Sequence, residues 1–335
     1  MSEEVKEISV EYEKQIFGSG DSYLKKIEKE LHVDIVERNG LIKITGEEPN
    51  VKKASGVFDS LVLLCEKGNE LTEQQVDYCL SLSREGKEKA VVEIDGDIIC
   101  RTVSGKPVKP KTLGQKKYVD LIRSKMITFG IGPAGTGKTY LAIAMACKAF
   151  KDEEVQRIIL TRPAIEAGEK LGFLPGDLQQ KIDPYLRPLY DALYTIMGPD
   201  SYTANTEKGL IEVAPLAYMR GRTLDNAFII LDEAQNCTGA QMKMFLTRIG
   251  FGSRVVVTGD LTQKDLPGSE VSGLESARRI LSDVEDIGFA ELTSLDVVRH
   301  PLVQKIVNAY EKYEKKERQR EERRQEHFHD NKYRK

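Results

Sequence analysis

The stretch GPAGTGKT, Gly132 to Thr139, decides the fold. It fits G-x-x-x-x-G-K-[ST] at every fixed position. An apolar run, MITFGI (126–131), precedes it, and TYLAIAMACKAF (139–150) follows with apolar residues at helical spacing. Strand, glycine-rich loop and helix in that order form a phosphate cradle. The residues of the cradle are Gly132, Pro133, Ala134, Gly135, Thr136, Gly137, Lys138 and Thr139. Its glycines let backbone N–H groups turn inward, and the helix start adds the positive end of its dipole. Lys138 is placed to bridge β- and γ-phosphates, and Thr139 to ligate Mg²⁺. The expected ligands are therefore ATP and Mg²⁺.

Working outward, four more short apolar runs read as buried parallel strands: VQRIIL (155–160), AFIIL (227–231), RVVVT (254–258) and FAELTS (289–294). Helical patterns lie between them, GAQMKMFLTRIG (239–250) among the clearest. This alternation predicts an α/β fold with a doubly wound, mostly parallel sheet carrying the phosphate loop, over 112–311. Residues 1–103 read as a small α+β domain, with a helix near 21–31, strands VDIVER and LIKITG around an Asn39-Gly40 turn, and a helix near 49–67. Residues 104–111 open a Pro- and Lys-rich stretch, SGKPVKPKTLGQKK, that reads as an extended linker. The almost wholly charged 312–335 cannot build a core and reads as a tail.

Three further motifs bear on chemistry. In FIILDEAQ (228–235) an apolar strand ends in two acids. Asp232 is the second candidate Mg²⁺ residue, and Glu233 is placed to deprotonate an attacking water. In VVVTGDLTQKDLPG (255–268) another strand ends in Thr258-Gly259-Asp260, with Gln263 as the expected γ-phosphate sensor. Gln115, upstream of the cradle, is a candidate reader of adenine, because an amide presents a donor and an acceptor together. No N-K-x-D guanine motif is present. An arginine is also expected at the γ-phosphate. Arg162, Arg220, Arg222, Arg248 and Arg299 are open candidates. Arg299 follows the last core strand, and Arg248 could reach a neighbouring subunit. Cys237, with no paired histidine, reads as packing.

Bulk properties narrow the class. A chain of 335 residues with 40% hydrophobic and 31% charged residues is ordinary for a globular protein, and its net charge of −3 means that any nucleic-acid contact uses a local patch. Its 5 cysteines form neither a C-x-x-C pair nor a zinc-spaced cluster, so a cytoplasmic location is expected. The acid-rich start predicts no signal peptide, and no apolar run is long enough to span a bilayer.

These motifs, with TRPAIEAGEKLGFLPGDLQQKIDPYLRPLYDAL (161–193) and APLAYMRGRTLDNAFIILDEAQN (214–236), strongly resemble the PhoH-like family of ATPases. The resemblance implies a helicase-like ATPase core, ring assembly and a link to RNA metabolism. Gly259-Asp260-x-x-Gln263 is similar to a motif of superfamily 1 helicases. The N-terminal unit is loosely similar to a KH module, a fold that clamps nucleotides with G-x-x-G. Here that place reads Gly18-Ser19-Gly20-Asp21, ending in an acid. A monomeric superfamily 1 helicase closes ATP between two lobes, and this chain has one. A hexameric ring with ATP at subunit borders is therefore expected, acting on RNA with a possible ribonuclease or ribosome partner. The alternatives are an adaptor that uses ATP only to assemble, and a small-molecule kinase.

Overall fold

The computed structural model describes residues 1–38, 40–68, 70–84, 86–87, 90–163, 178–266 and 270–298, with 302, 303, 306, 309, 310 and 313 beyond them. They fall into two compact units, Met1–Val297 and Val298–Lys335. Asn39, Lys170, Arg299 and the tail from 314 lie outside the described residues.

The first unit begins with β1 (Ser2–Glu7), α1 (Val10–Phe17), α2 (Ser22–Leu31), β2 (Val33–Arg38), β3 (Leu41–Gly46) and α3 (Glu48–Glu66). The strands form an antiparallel sheet in the order β1-β3-β2. Gly18–Asp21 joins α1 to α2, and Gly18, Gly20 and Asp21 all take positive φ, a cost only glycine avoids. Two helices follow, α4 (Glu73–Ser83) and α5 (Ala90–Asp95). Ile42, Ile44, Val57, Phe58, Leu61 and Leu64 are fully buried among these elements. The stretch read as an extended linker is partly ordered. A hairpin pairs β4 (Cys100–Arg101) with β5 (Pro107–Val108), and 113–117 already belongs to a helix, α6 (Leu113–Ser124).

Next come β6 (Ile127–Ile131), α7 (Lys138–Lys151), β7 (Arg157–Arg162), α8 (Leu178–Met197), α9 (Pro199–Glu207), β8 (Ile211–Pro215) and β9 (Ala227–Leu231). The unit closes with α10 (Gly239–Leu246), β10 (Arg254–Gly259), α11 (Gly273–Ile280) and β11 (Ile287–Glu291). The six strands run parallel in the order β11-β6-β10-β9-β7-β8. Both faces are covered, which is why the strands are apolar at nearly every position. Ile158, Leu160, Phe228, Ile230 and Val256 face one core with α7 and α8; Ile159, Ile229, Leu231, Val255 and Val257 face the other with α10 and α11. Burying each such side chain stabilises by about 1.5–3 kcal/mol, enough to fix the strand register. The chain leaves β6 toward β7 on one side and leaves β10 toward β11 on the other. Ligands of open α/β sheets bind at the carboxyl ends of strands where the direction of winding reverses, and the cradle stands there. Among the described residues no helix is long and apolar enough to cross a membrane.

Helix α6 backs the cradle and is held at its start by groups far away in the chain. Asp296, almost fully buried, accepts from the Thr112 hydroxyl (2.6 Å), the Gly114 N–H (3.1 Å) and the Thr293 N–H (2.8 Å). The Tyr78 hydroxyl, on α4, accepts from the Leu113 N–H at 2.6 Å. Burial, with the Asp296 charge adding, pushes this phenol up to about 12, so it stays neutral. Asp296→Ala removes the acceptor of four donors, the Thr293 hydroxyl (3.2 Å) being the fourth. We expect it to lower unfolding stability by about 2–4 kcal/mol in urea titration, with Asp296→Asn costing less.

Candidate nucleotide-binding site

The cradle leaves the carboxyl end of β6. The Gly132 N–H donates to the Gly259 carbonyl at 3.1 Å, joining the loop to β10. A Cβ at Gly132 would lie 2.4 Å from the backbone oxygen of Leu292, so no side chain fits. Gly137 (φ 75°) precedes α7 in the left-handed region that glycine tolerates. The Lys138 ammonium is nearly buried and donates to the carbonyls of Gly132 (2.6 Å) and Pro133 (2.8 Å). It also lies 3.2 Å from the Thr136 hydroxyl.

Two side chains of α6 grip the loop from behind. Gln115 donates from Nε2 to the Thr136 carbonyl (3.0 Å) and accepts at Oε1 from the Lys111 N–H (2.7 Å). It is 3% exposed, so its amide is spent on the chain and braces the loop instead of facing a base. The expectation that it reads adenine has no support in this geometry. The Tyr118 hydroxyl donates to the Lys138 carbonyl at 3.2 Å, and full burial holds that phenol well above its ordinary range.

The acids stand at the carboxyl end of β9. Asp232 Oδ1 accepts from the hydroxyls of Thr139 and Thr258, each at 2.6 Å. Its Oδ2 lies 3.0 Å from Arg162 Nε, an ion pair without hydrogen-bond alignment. Glu233 takes φ 53°, a left-handed backbone unusual for glutamate. Its Oε1 accepts from Arg162 Nη2 (2.8 Å) and its Oε2 from Gln235 Nε2 (2.6 Å). Gln235, 1% exposed, accepts in turn from the Asp260 N–H at 3.0 Å. The Asp260 carboxylate accepts from the Ala134 N–H in the cradle (3.1 Å) and from Thr262 N–H (2.9 Å) and hydroxyl (2.7 Å). A continuous polar chain thus joins Glu233 to the cradle.

These groups fit Mg²⁺ and a triphosphate. Mg²⁺ wants oxygen ligands and keeps several waters, so one hydroxyl and one carboxylate suffice beside phosphate oxygens. Thr139 and Asp232 are the hydroxyl and carboxylate that would supply them. No cluster of three or more His, Cys, Asp or Glu suited to a metal occurs among the described residues. Gln263 stands apart from this cluster. Its side chain is exposed, and its backbone N–H closes a turn on the Asp260 carbonyl at 3.1 Å. The buried polar positions of that motif are Thr258 and Asp260. Arg248 follows α10, and its Nη2 lies 3.4 Å from the neighbouring Thr247 hydroxyl. Arg222 is held by Glu212 through two bonds of 2.6 and 2.7 Å, and the exposed Arg220 follows a short helical turn. Among the described arginine candidates, Arg162 is the one seated against the acids. Gln235 was missed as a site residue, although its place three after Asp232 was the available signal.

The PhoH-like protein family matches residues 107–311. The chain belongs to that family. A PhoH-like protein of Mycobacterium bovis is 55% identical over 300 residues, covering 89% of this chain and 85% of the relative. A PhoH-like protein of Bacillus subtilis is 50% identical over 297 residues, covering 89% and 93%. The solved Sulfolobus solfataricus SWI2/SNF2 ATPase core in complex with dsDNA is similar over 54% of this chain and 43% of its own, at 17% identity and a TM-score of 0.34, too slight a likeness to carry inference.

Two outcomes follow for this PhoH-like chain. Gln115→Ala should weaken ATP and GTP binding by the same factor, about 10-fold for one lost brace, in fluorescent-nucleotide titration. Loss confined to ATP would instead mark Gln115 as an adenine reader. Burial pushes the thiols of Cys147 and Cys237 up to about 12. At pH 8 both therefore stay protonated while folded, and iodoacetamide labelling with mass spectrometry should leave them unmodified until denaturant is added.

Proposed function

We propose that this chain is a Mg²⁺-dependent ATP hydrolase that acts on RNA as a ring of like subunits in the cytoplasm. The observation that carries hydrolysis is the second acid. Asp232 faces Thr139 and the cradle, whereas Glu233, one residue on, is 41% exposed at its side chain and has no share in that contact. A phosphotransferase takes its nucleophile from the substrate; an acid beside the metal residue serves water. In this reading Glu233 holds a water, accepts its proton as the water oxygen bonds to the γ-phosphorus, and the bond to the ADP oxygen breaks. Lys138 and the loop N–H groups take up the charge on the phosphate oxygens. When bound through Thr139 and Asp232, Mg²⁺ supplies Lewis-acid neutralisation of the same charge.

The RNA reading is favoured by the cations at the carboxyl edge of the sheet, Arg162 on β7 and the exposed Arg187 on α8, which suit a phosphodiester backbone. The ring reading is favoured by the single sheet, which builds one wall of the nucleotide site. Glu233→Gln should retain ATP affinity while the turnover rate falls about 100- to 10,000-fold. Single-stranded RNA should raise the wild-type rate, and that gain should fade as salt rises. Light scattering should give a mass several times that of one chain. Unchanged turnover in Glu233→Gln would remove the hydrolysis reading.

A further inference from the structure

Arg162 is held on three sides at the site. Its side chain is 17% exposed, with Nε beside Asp232 Oδ2, Nη2 on Glu233 Oε1, and Nη1 donating to the Tyr185 carbonyl of α8 at 2.5 Å. Strand pairing fixes this placement. Thr161, one residue earlier, sits opposite Leu231, and its carbonyl accepts the Asp232 N–H at 2.9 Å.

Asp232 divides the site. Its Oδ1 points to Thr139 and Thr258, on the cradle side, and its Oδ2 faces Arg162. The sheet order puts β10 and β9 between the cradle strand β6 and the arginine strand β7, roughly 14 Å at ordinary strand spacing. Arg162 therefore reaches the acids from the side away from the phosphates. That is the wrong side for charge stabilisation at the γ-phosphate. It is the right side for holding Glu233. With Arg162 on Oε1 and Gln235 on Oε2, each oxygen of the base already serves one donor of the chain; a lone pair on each stays open, but the carboxylate is tied in place from both sides.

Resting on the hydrolytic reading of Glu233, we infer that Arg162 is a positioning residue that restrains the base, and that a phosphodiester backbone releases it. A guanidinium forms paired bonds with phosphate as readily as with carboxylate. Arg162 stands at the carboxyl end of β7, beside Tyr185 of α8, with the exposed Arg187 two residues further along that helix. A strand laid there offers anionic oxygens to the same fork. The guanidinium exchanges Glu233 for phosphate, the freed carboxylate turns toward a water at the γ-phosphate, and hydrolysis proceeds. One side chain thereby links strand binding to turnover.

The test compares wild type, Arg162→Gln, Arg162→Lys and Glu233→Gln, with kcat and KM for ATP measured with and without single-stranded poly(U), and melting temperature alongside. Arg162→Gln should raise the strand-free kcat about 3- to 10-fold, shift KM less than about 2-fold, and lose stimulation by poly(U). Arg162→Lys keeps the charge without the fork and should fall between. It also serves as the folded comparator should Arg162→Gln melt early. A strand-free rate in Arg162→Gln as low as that of Glu233→Gln would overturn the inference, making Arg162 a direct participant at the phosphate. Stimulation of Arg162→Gln equal to wild type, or a wild type indifferent to poly(U), would overturn it equally. Full turnover by Glu233→Gln would instead sink the underlying reading of the base.

Discussion

The carboxylate of Asp232 is the point on which the site closes. It sits at the end of β9, buried, and accepts from hydroxyls carried by the helix after the cradle and by β10. Arg162 on β7 answers its other oxygen. Three strands and one helix are thereby referenced to a single charged group. A buried carboxylate so placed is costly to leave unpaired, which is why its surroundings are fixed so tightly. Everything the site can do depends on that fixed point: the distance from Thr139, the direction of Glu233, and the side from which cations approach.

Much of this was legible in the sequence, and the limits are physical. The five core strands predicted from apolar runs all occur, because burial on both faces forces near-continuous hydrophobic composition. The sixth core strand, β8, was missed. IEVAP is an edge strand with one neighbour, and its burial is interrupted at Glu212 and Val213. The N-terminal β1 was missed for a sharper reason. SEEVKE carries four charged residues in six, with every second residue only partly covered, and it is a strand because β3 pairs along its full length. Local composition cannot report a partner 40 residues away in the chain.

The site divides in the same way. The cradle and the two acids stand out in the sequence because a phosphate-loop motif and a strand ending in paired acids fix residue types at close spacing. Gln115 was found but given another task, since an amide's two ends do not reveal whether they meet a base or a backbone. The network through Gln235 and Asp260 was not legible. Its members come from different strands, and only the sheet order brings them together. Tyr78 is the extreme case. It lies in an N-terminal helix, yet its hydroxyl meets the first turn of α6, the helix that braces the cradle.

The left-handed backbone at Glu233 has a consequence for how such a protein tolerates change. A glutamate held at φ 53° carries strain of about 1–2 kcal/mol that asparagine or glycine would relieve. If Glu233 is the base of the proposed hydrolysis, the residue the chemistry calls for is a poor choice for the backbone beneath it. Under that proposal, drift toward a more stable chain at this position runs against the reaction, setting stability and turnover in opposition at one residue.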